Sequence, residues 1–282
     1  MHSVRFSRSL LAVATAVTAA LLSPAALASP SPPGGQAGVL VYGKPVCGSN
    51  WVPVNTGHGR YFNVYNDTSN GTTCVLVPKA GQLAYRVTYE QHTKKNWLMT
   101  GIGEGVSWGK YTCYDGPSGT GPGTHCATFP VQVYKEGSIT ASAAFTPASG
   151  GRWDDGWDIW FNKTYVAPSQ LQQPNGTEIM IRMHDRAIAI TPYRTVTIDH
   201  HVWYVEHWRS CAHGVCWRYV AYVAKYPGNR TWNLSLTHIF ADAVKRGDLH
   251  LTWYLTGIMF GEEAYSGGAG FAVTMYNLTG VR

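Results

Sequence analysis

Carboxylates are scarce in this chain, with 16 Asp and Glu among 282 residues, so those that sit among apolar residues stand out. The run Thr177-Glu178-Ile179-Met180-Ile181-Arg182-Met183-His184 alternates with period two. Read as a strand, it turns Ile179, Ile181 and Met183 to a core, and Glu178, Met180, Arg182 and His184 to the opposite face. Asp158 opens a second apolar strand, Asp158-Ile159-Trp160-Phe161, and Glu262 and Glu263 lie in a third, between Trp253 and Tyr265. A lone Glu on the open face of a strand is commonly a solvated surface residue. Several acids on strands bordered by Trp and Tyr fit something else: a sugar cleft, where rings stack on pyranose faces and paired carboxyls do the chemistry.

Other constellations carry less. Gly105-Val106-Ser107-Trp108-Gly109 fits the Gly-x-Ser-x-Gly nucleophile elbow, which needs a strand before it and a helix after it. The following Lys110 to Gly116 cannot be a helix, and the chain lacks an alternating βα pattern, so the match is read as chance. Asp199-His200-His201 has the residue types of a metal site but reads as a polar turn between two strands. His184 reads as a hydrogen-bonded wall residue of the cleft. Zinc on the cysteines is disfavoured because no Cys-x-x-Cys pair occurs. No metal or organic cofactor is implied. The Asn-x-Ser/Thr sites at Asn66, Asn70, Asn162, Asn175, Asn233 and Asn277 arise by chance in so Ser/Thr/Gly-rich a chain.

The elements that must position the acids are strands. Tyr61 to Tyr65, Cys74 to Pro78, Leu83 to Tyr89 and Val131 to Tyr134 are brief apolar runs between turn formers, the mark of a sandwich or barrel. Longer strands follow over Trp157 to Phe161, Glu178 to His184, Thr195 to Trp208 (broken at Asp199 to His201) and Trp217 to Lys225. One segment reads as a helix: Leu236, Ile239, Phe240, Ala243 and Val244 form a single apolar stripe, with Ser235 to cap its start and Gly247 its end. The expectation is an all-β sandwich carrying one packed helix.

Composition agrees. The chain has 31 Gly, 15 Pro, 11 Trp, 17 Tyr and 8 Phe but only 13% charged residues, which excludes disorder as the dominant state and disfavours a helical bundle. Residues 1–28 carry Arg5 and Arg8, an apolar run from Leu10 to Leu22, and Ala26-Leu27-Ala28. This is the pattern of a secretory signal peptide, too short in its apolar part for a membrane span. Cleavage is expected after Ala28, with 29–38 a flexible linker and 39–282 one domain. Losing two arginines would lower the net charge from +6 to +4. The remaining Lys and Arg are scattered, so a nucleic-acid surface is not expected. Six cysteines in an exported chain argue for disulfides. Fifteen pairings are possible; proximity favours Cys47–Cys74, Cys113–Cys126 and Cys211–Cys216.

Asp158-Ile159-Trp160-Phe161, Glu178-Ile179-Met180-Ile181 and Phe260-Gly261-Glu262-Glu263-Ala264-Tyr265-Ser266-Gly267-Gly268 resemble, in order and spacing, the signature strands of family-12 glycoside hydrolases. The resemblance extends to the Cys47…Cys74 hairpin, the Asn66 turn, the Gly105 to Gly109 segment and the helix with Trp253-Tyr254-Leu255. It implies a β-jelly-roll with a long cleft on its concave sheet, and a secreted endo-β-1,4-glucanase or xyloglucanase that retains anomeric configuration. Carried over residue by residue, Glu178 matches the nucleophile and Glu263 the acid/base, whereas Glu262 falls on a non-catalytic position. Asp158 matches a third carboxylate that hydrogen-bonds the nucleophile. Met180, Arg182, Trp108, Trp160 and Tyr265 become candidate substrate contacts. The partner implied is a polysaccharide, with no nucleic acid, no membrane after cleavage, and a monomeric enzyme. Because a retaining pair stands roughly 5 to 5.5 Å apart, the strands bearing Glu178 and Glu263 are expected to be neighbours.

The departures concern rings. A family tryptophan after the nucleophile strand's isoleucine is Arg182 here. Others are replaced near Ser69 and at Ala143, a His-Trp-Gly run becomes Ser107-Trp108-Gly109, and Ala264-Tyr265 stands beyond the acid/base. The acids remain while platforms are lost, leaving three openings: a changed substrate, compensation by Trp153 and Trp157, or a non-catalytic carbohydrate-binding protein on the same scaffold. Arg182 could bind an anionic or heavily substituted glycan, or pair with Glu178 or Asp158 and lower their pKa.

Overall fold

The alternation that marks the sequence becomes two sheets packed face to face. The computed structural model describes residues 40–48, 51–55, 61–66, 70–79, 82–93, 97–107, 110–111, 129–165, 175–212 and 214–281. Trp108, Cys113 and Cys126 lie outside the described residues. In chain order the strands are β1 (Val46–Cys47), β2 (Trp51–Asn55), β3 (Tyr61–Asn66), β4 (Gly71–Leu76), β5 (Tyr85–His92), β6 (Leu98–Ser107), β7 (Lys110–Tyr111), β8 (Val131–Gln132) and β9 (Thr140–Thr146). Then come β10 (Gly151–Asn162), β11 (Thr177–Arg186), β12 (Arg194–Ile198), β13 (His201–Ala212), β14 (Val215–Ala224) and β15 (Arg230–Ser235). The helix α1 (Leu236–Lys245) precedes β16 (Tyr254–Gly267) and β17 (Ala272–Thr279).

One sheet runs β1-β4-β5-β17-β9-β15. The other runs β12-β13-β14-β11-β10-β16-β6-β3-β2, with β7 beside β6 and β8 beside β16. This is a β-jelly-roll, as expected. Val131 to Tyr134 gives only two strand residues, because Val133 and Tyr134 turn their N–H groups to the carbonyls of Trp253 and Leu251 and the chain tightens into a 3-10 turn. Cys47–Cys74 ties β1 to β4, and Cys211–Cys216 closes the β13–β14 hairpin.

Rings fill the space between the sheets. Trp157 meets Phe260 of its own sheet at 5.0 Å between centroids and Tyr276 of the facing sheet at 5.4 Å, while Phe145 reaches across to Phe260 at 5.1 Å. Trp153 and Trp157, one alternative for replacing the lost sugar platforms, are core residues, 1% and 0% exposed, and do not take that role. Alternation is the reason: Trp153, Trp157, Ile159 and Phe161 share the inward face of β10, leaving Asp154, Asp158 and Trp160 to the concave side. Helix α1 lays its stripe on the same core, Phe240 standing edge-on to Phe161 at 5.0 Å. Each buried side chain of this size contributes ~1.5–3 kcal/mol. The Ser235 hydroxyl accepts the His238 N–H at 3.3 Å, and Gly247, at φ +76°, ends the helix.

Two sequence motifs become hairpins. Ser107 pairs with Lys110 and Val106 with Tyr111, so a strand returns where a nucleophile elbow requires a helix. Asp199 and His200, at φ +49° and +68°, form the two-residue turn between β12 and β13, and Asp199 lies 2.7 Å from His238 of α1.

The large sheet is creased along a row of glycines. Gly156 of β10 pairs with Gly261 of β16, which pairs with Gly101 of β6. All three share the concave face of their strands by the two-residue period. A Cβ on Gly156 would lie 2.2 Å from the Ile181 carbonyl oxygen, and one on Gly261 1.9 Å from that of Thr100. No side chain fits where neighbouring backbones fold this closely onto that face.

Candidate active site

The crease separates two groups of acids along β10. Asp158 and Trp160 lie on one side of Gly156, and Asp154 on the other. Glu178 is the cross-strand partner of Trp160, and Glu263 that of Asp154. The strands of Glu178 and Glu263 are therefore not neighbours, contrary to expectation: β10 runs between them. In a flat sheet six positions along a strand would put the two levels roughly 20 Å apart. Both side chains nevertheless line one cavity of about 560 Å³ with Asp154 and Asp158, close enough that the charge of Glu263 raises Glu178, so the sheet must bend along the row of glycines.

Glu178 is held by Trp217, whose indole N–H donates to Oε2 at 2.5 Å. Asp158 does not make the expected hydrogen bond to Glu178; its Oδ2 accepts the Trp160 N–H at 2.8 Å, and its Oδ1 has no partner among the described residues. The Trp160 and Trp217 rings stand 5.7 Å apart and form a wall of the cavity. Tyr265 stands beside Glu263, where its hydroxyl favours the ionised carboxyl, and carries Arg152 over its ring at 4.5 Å. Met180 sits beneath the cavity surface, packed with Tyr219, Ala221 and Val223.

Arg182 pairs with neither Glu178 nor Asp158. Its Nε lies 2.9 Å from Asp185 and 3.8 Å from Asp154, and its Nη1 3.2 Å from Glu206. Three carboxylates surround a guanidinium 3% exposed and balance its charge, while Nη2 has no hydrogen-bond partner among the described residues. A bulge makes this possible. The β10–β11 register shifts at Met183, so that Gly156 opposes Arg182 while Asp155 opposes His184. Asp185 therefore joins Arg182 on the cleft face, and His184 turns to the other, against Trp153 at 5.2 Å. The expected position of His184 beside Glu178 fails for that reason.

Crowding sets the electrostatics. Burial, then the charges of Asp158 and Glu263, push Glu178 well above the usual carboxylate range, against the Trp217 hydrogen bond. Burial and Asp158 raise Glu263 to about 8, opposed by Arg182 and the Tyr265 hydroxyl. Asp158 rises to about 7 through burial, with Trp160 opposing and Asp154 adding. Burial also lifts Asp154, although Arg182 counters it. Four carboxyls so close cannot all ionise, so protons are shared among them at neutral pH. The cavity thus keeps a proton donor while Trp217 favours the anion of Glu178.

Asp154, Glu206 and Trp217 were not singled out from the sequence. Asp154 was within reach, since stepping back by twos from Asp158 passes Gly156 and arrives there. Trp217 was not: it reaches Glu178 because β14 lies parallel to β11, with Tyr219 opposite Glu178, a pairing no local pattern announces.

Solved structures share this architecture. An endoglucanase from Rhodothermus marinus matches with a TM-score of 0.68 at 24% identity, over 84% of this chain and 98% of that one. A metagenome-derived family-12 endoglucanase matches with the same score and identity, over 84% and 96%. A family-12 xyloglucanase from Bacillus licheniformis matches at 0.66 and 16% identity, over 84% and 99%. No protein-family model and no curated protein matches the sequence. The chain thus has the fold of these glycoside hydrolases at low identity.

Proposed function

We propose that this jelly-roll is a retaining glycoside hydrolase acting on β-1,4-linked glucan, exported through residues 1–28. The observation that carries the reading is the entry of Glu178 and Glu263, from strands that are not neighbours, into one cavity on the concave face. In the first step Glu178 attacks the anomeric carbon while Glu263 gives its proton to the departing oxygen. In the second, Glu263 takes a proton from water, which attacks the same carbon and releases Glu178. Glu263 near 8 suits the donor. Trp217 orients the nucleophile, and Tyr265 the acid/base. Asp158 and Asp154 hold negative charge around an oxocarbenium-like transition state. Trp160, Trp217 and Trp208 supply the ring surfaces of the cavity. The surplus of acids excludes an anionic sugar ring at the point of cleavage. The disulfides fit an oxidising compartment.

The test is reducing-end release from carboxymethylcellulose, xyloglucan, lichenan and mannan, with proton NMR of the first product. Release from a β-1,4-glucan with the β-anomer appearing first is expected. An initial α-anomer would contradict retention. Binding to one polymer without release from any would make the protein a lectin-like relative of the hydrolases.

A further inference from the structure

A second cavity, of about 630 Å³, borders the first around the end of the β13–β14 hairpin; Trp208 and Trp217 contribute to both. Its chemistry is opposite. Lys163, Arg209 and Arg218 line it together with Trp253. Arg209 and Arg218 are direct cross-strand partners. Like charges in that relation repel, and a sheet normally avoids them. Arg218 spends Nη1 on the Gly247 carbonyl at 2.7 Å and on Asp248 at 3.0 Å. Asp248 does not cancel the group, because Arg246 already holds it at 2.6 Å and His207 lies at 3.2 Å. Arg209 and Lys163 have no ion-pair partner among the described residues; Lys163 lies over the Trp253 ring at 5.6 Å.

Three cations converging on one concavity beside a half-buried indole make a site for an oxyanion on a ring. We propose that this pocket binds a carboxylate or sulfate group carried on a glycan, with Trp253 beneath the sugar and Lys163, Arg209 and Arg218 around the anion. A charged substituent fits here and not in the reaction cavity, where four carboxyls repel it. The glycan, though not the anion, rests on the hydrolase reading.

Affinity electrophoresis in gels containing carboxymethylcellulose or neutral hydroxyethylcellulose tests this, because retention reads binding without turnover. The wild type is expected to be held more strongly by the anionic polymer. Lys163→Gln/Arg209→Gln should weaken that affinity about tenfold or more, with an unchanged circular-dichroism melt and unchanged retention in the neutral gel. Lys44→Gln/Lys79→Gln removes the same net charge from residues that line neither cavity and should behave as wild type. An equal loss in that control would mean diffuse attraction and overturn the proposal, as would wild-type retention of the pocket variant. Inorganic sulfate should displace the protein from the anionic gel better than chloride at matched ionic strength. Calorimetric binding of sulfate with no preference for the anionic polymer would reduce the pocket to a free-anion site and defeat the glycan assignment. Intact retention with no reducing-end release from any glucan would defeat the hydrolase reading and leave this pocket standing.

Discussion

Glu178→Gln and Glu263→Gln each remove a carboxyl from the shared cavity while nearly preserving shape. Each should lower turnover by about 10²–10⁴-fold, with a melting temperature close to that of the wild type at pH 5 and no lower at pH 8. Wild-type-like rates in either would take that residue out of the mechanism. Trp217→Phe is more selective. It deletes the N–H that favours the Glu178 anion, so more of the enzyme is protonated at Glu178 at a given pH. The acidic limb of the kcat/KM profile should therefore move to higher pH, whereas the alkaline limb, governed by loss of the Glu263 proton near 8, should stay. A fall in rate with no movement of either limb would give Trp217 a packing role only. At this scale the sequence was partly legible: scarcity and alternation singled out Glu178, Asp158 and Glu263. The fate of Arg182 was not, because its partners Asp185 and Glu206 reach it through a bulge and a distant hairpin.

The crease belongs to the element scale. Gly261→Ala would put a methyl 1.9 Å from a backbone oxygen, which no rotamer change relieves. Loss of soluble folded protein or of all turnover is expected. Gly228→Ala, with nothing within 4 Å of its Cβ, should change stability by less than about 0.5 kcal/mol in urea unfolding. Equal behaviour of the two would remove the crease as the device that joins the acids. Helix α1 offers a quieter check: Ser235→Ala should cost about 1 kcal/mol. The helix was legible in full because cap, stripe and terminating glycine are local signals. Strand neighbours were not: β10 runs between the strands of Glu178 and Glu263, and the two acids share a cavity only because the sheet bends over six positions of β10.

For the whole molecule, the raised carboxyls make stability depend on pH. Asp158 at about 7, Glu136 at about 8 and Glu263 at about 8 lie above their ordinary values chiefly through burial. The folded state thus binds more protons than the unfolded chain across that interval. Their contribution is complete below about pH 4 and is lost as pH rises through 7 to 8. Thermal melts should therefore show a higher midpoint at pH 5 than at pH 8.5; the reverse order would mean that these groups ionise freely in the fold.

Period-two alternation, turn formers and one amphipathic stripe determined a β-sandwich with a single helix, and the placing of rare acids among apolar residues determined which carboxyls to watch. Those are properties of neighbours along the chain, and burial acts on them directly. Only the tertiary structure decided that Trp153 and Trp157 are core, that Asp154 joins the acids, that Arg182 is neutralised and His184 turned away, and that Arg209 meets Arg218. Each of these depends on register, bulge or bend, and one residue of slip in any ladder would move a side chain to the other face of its sheet.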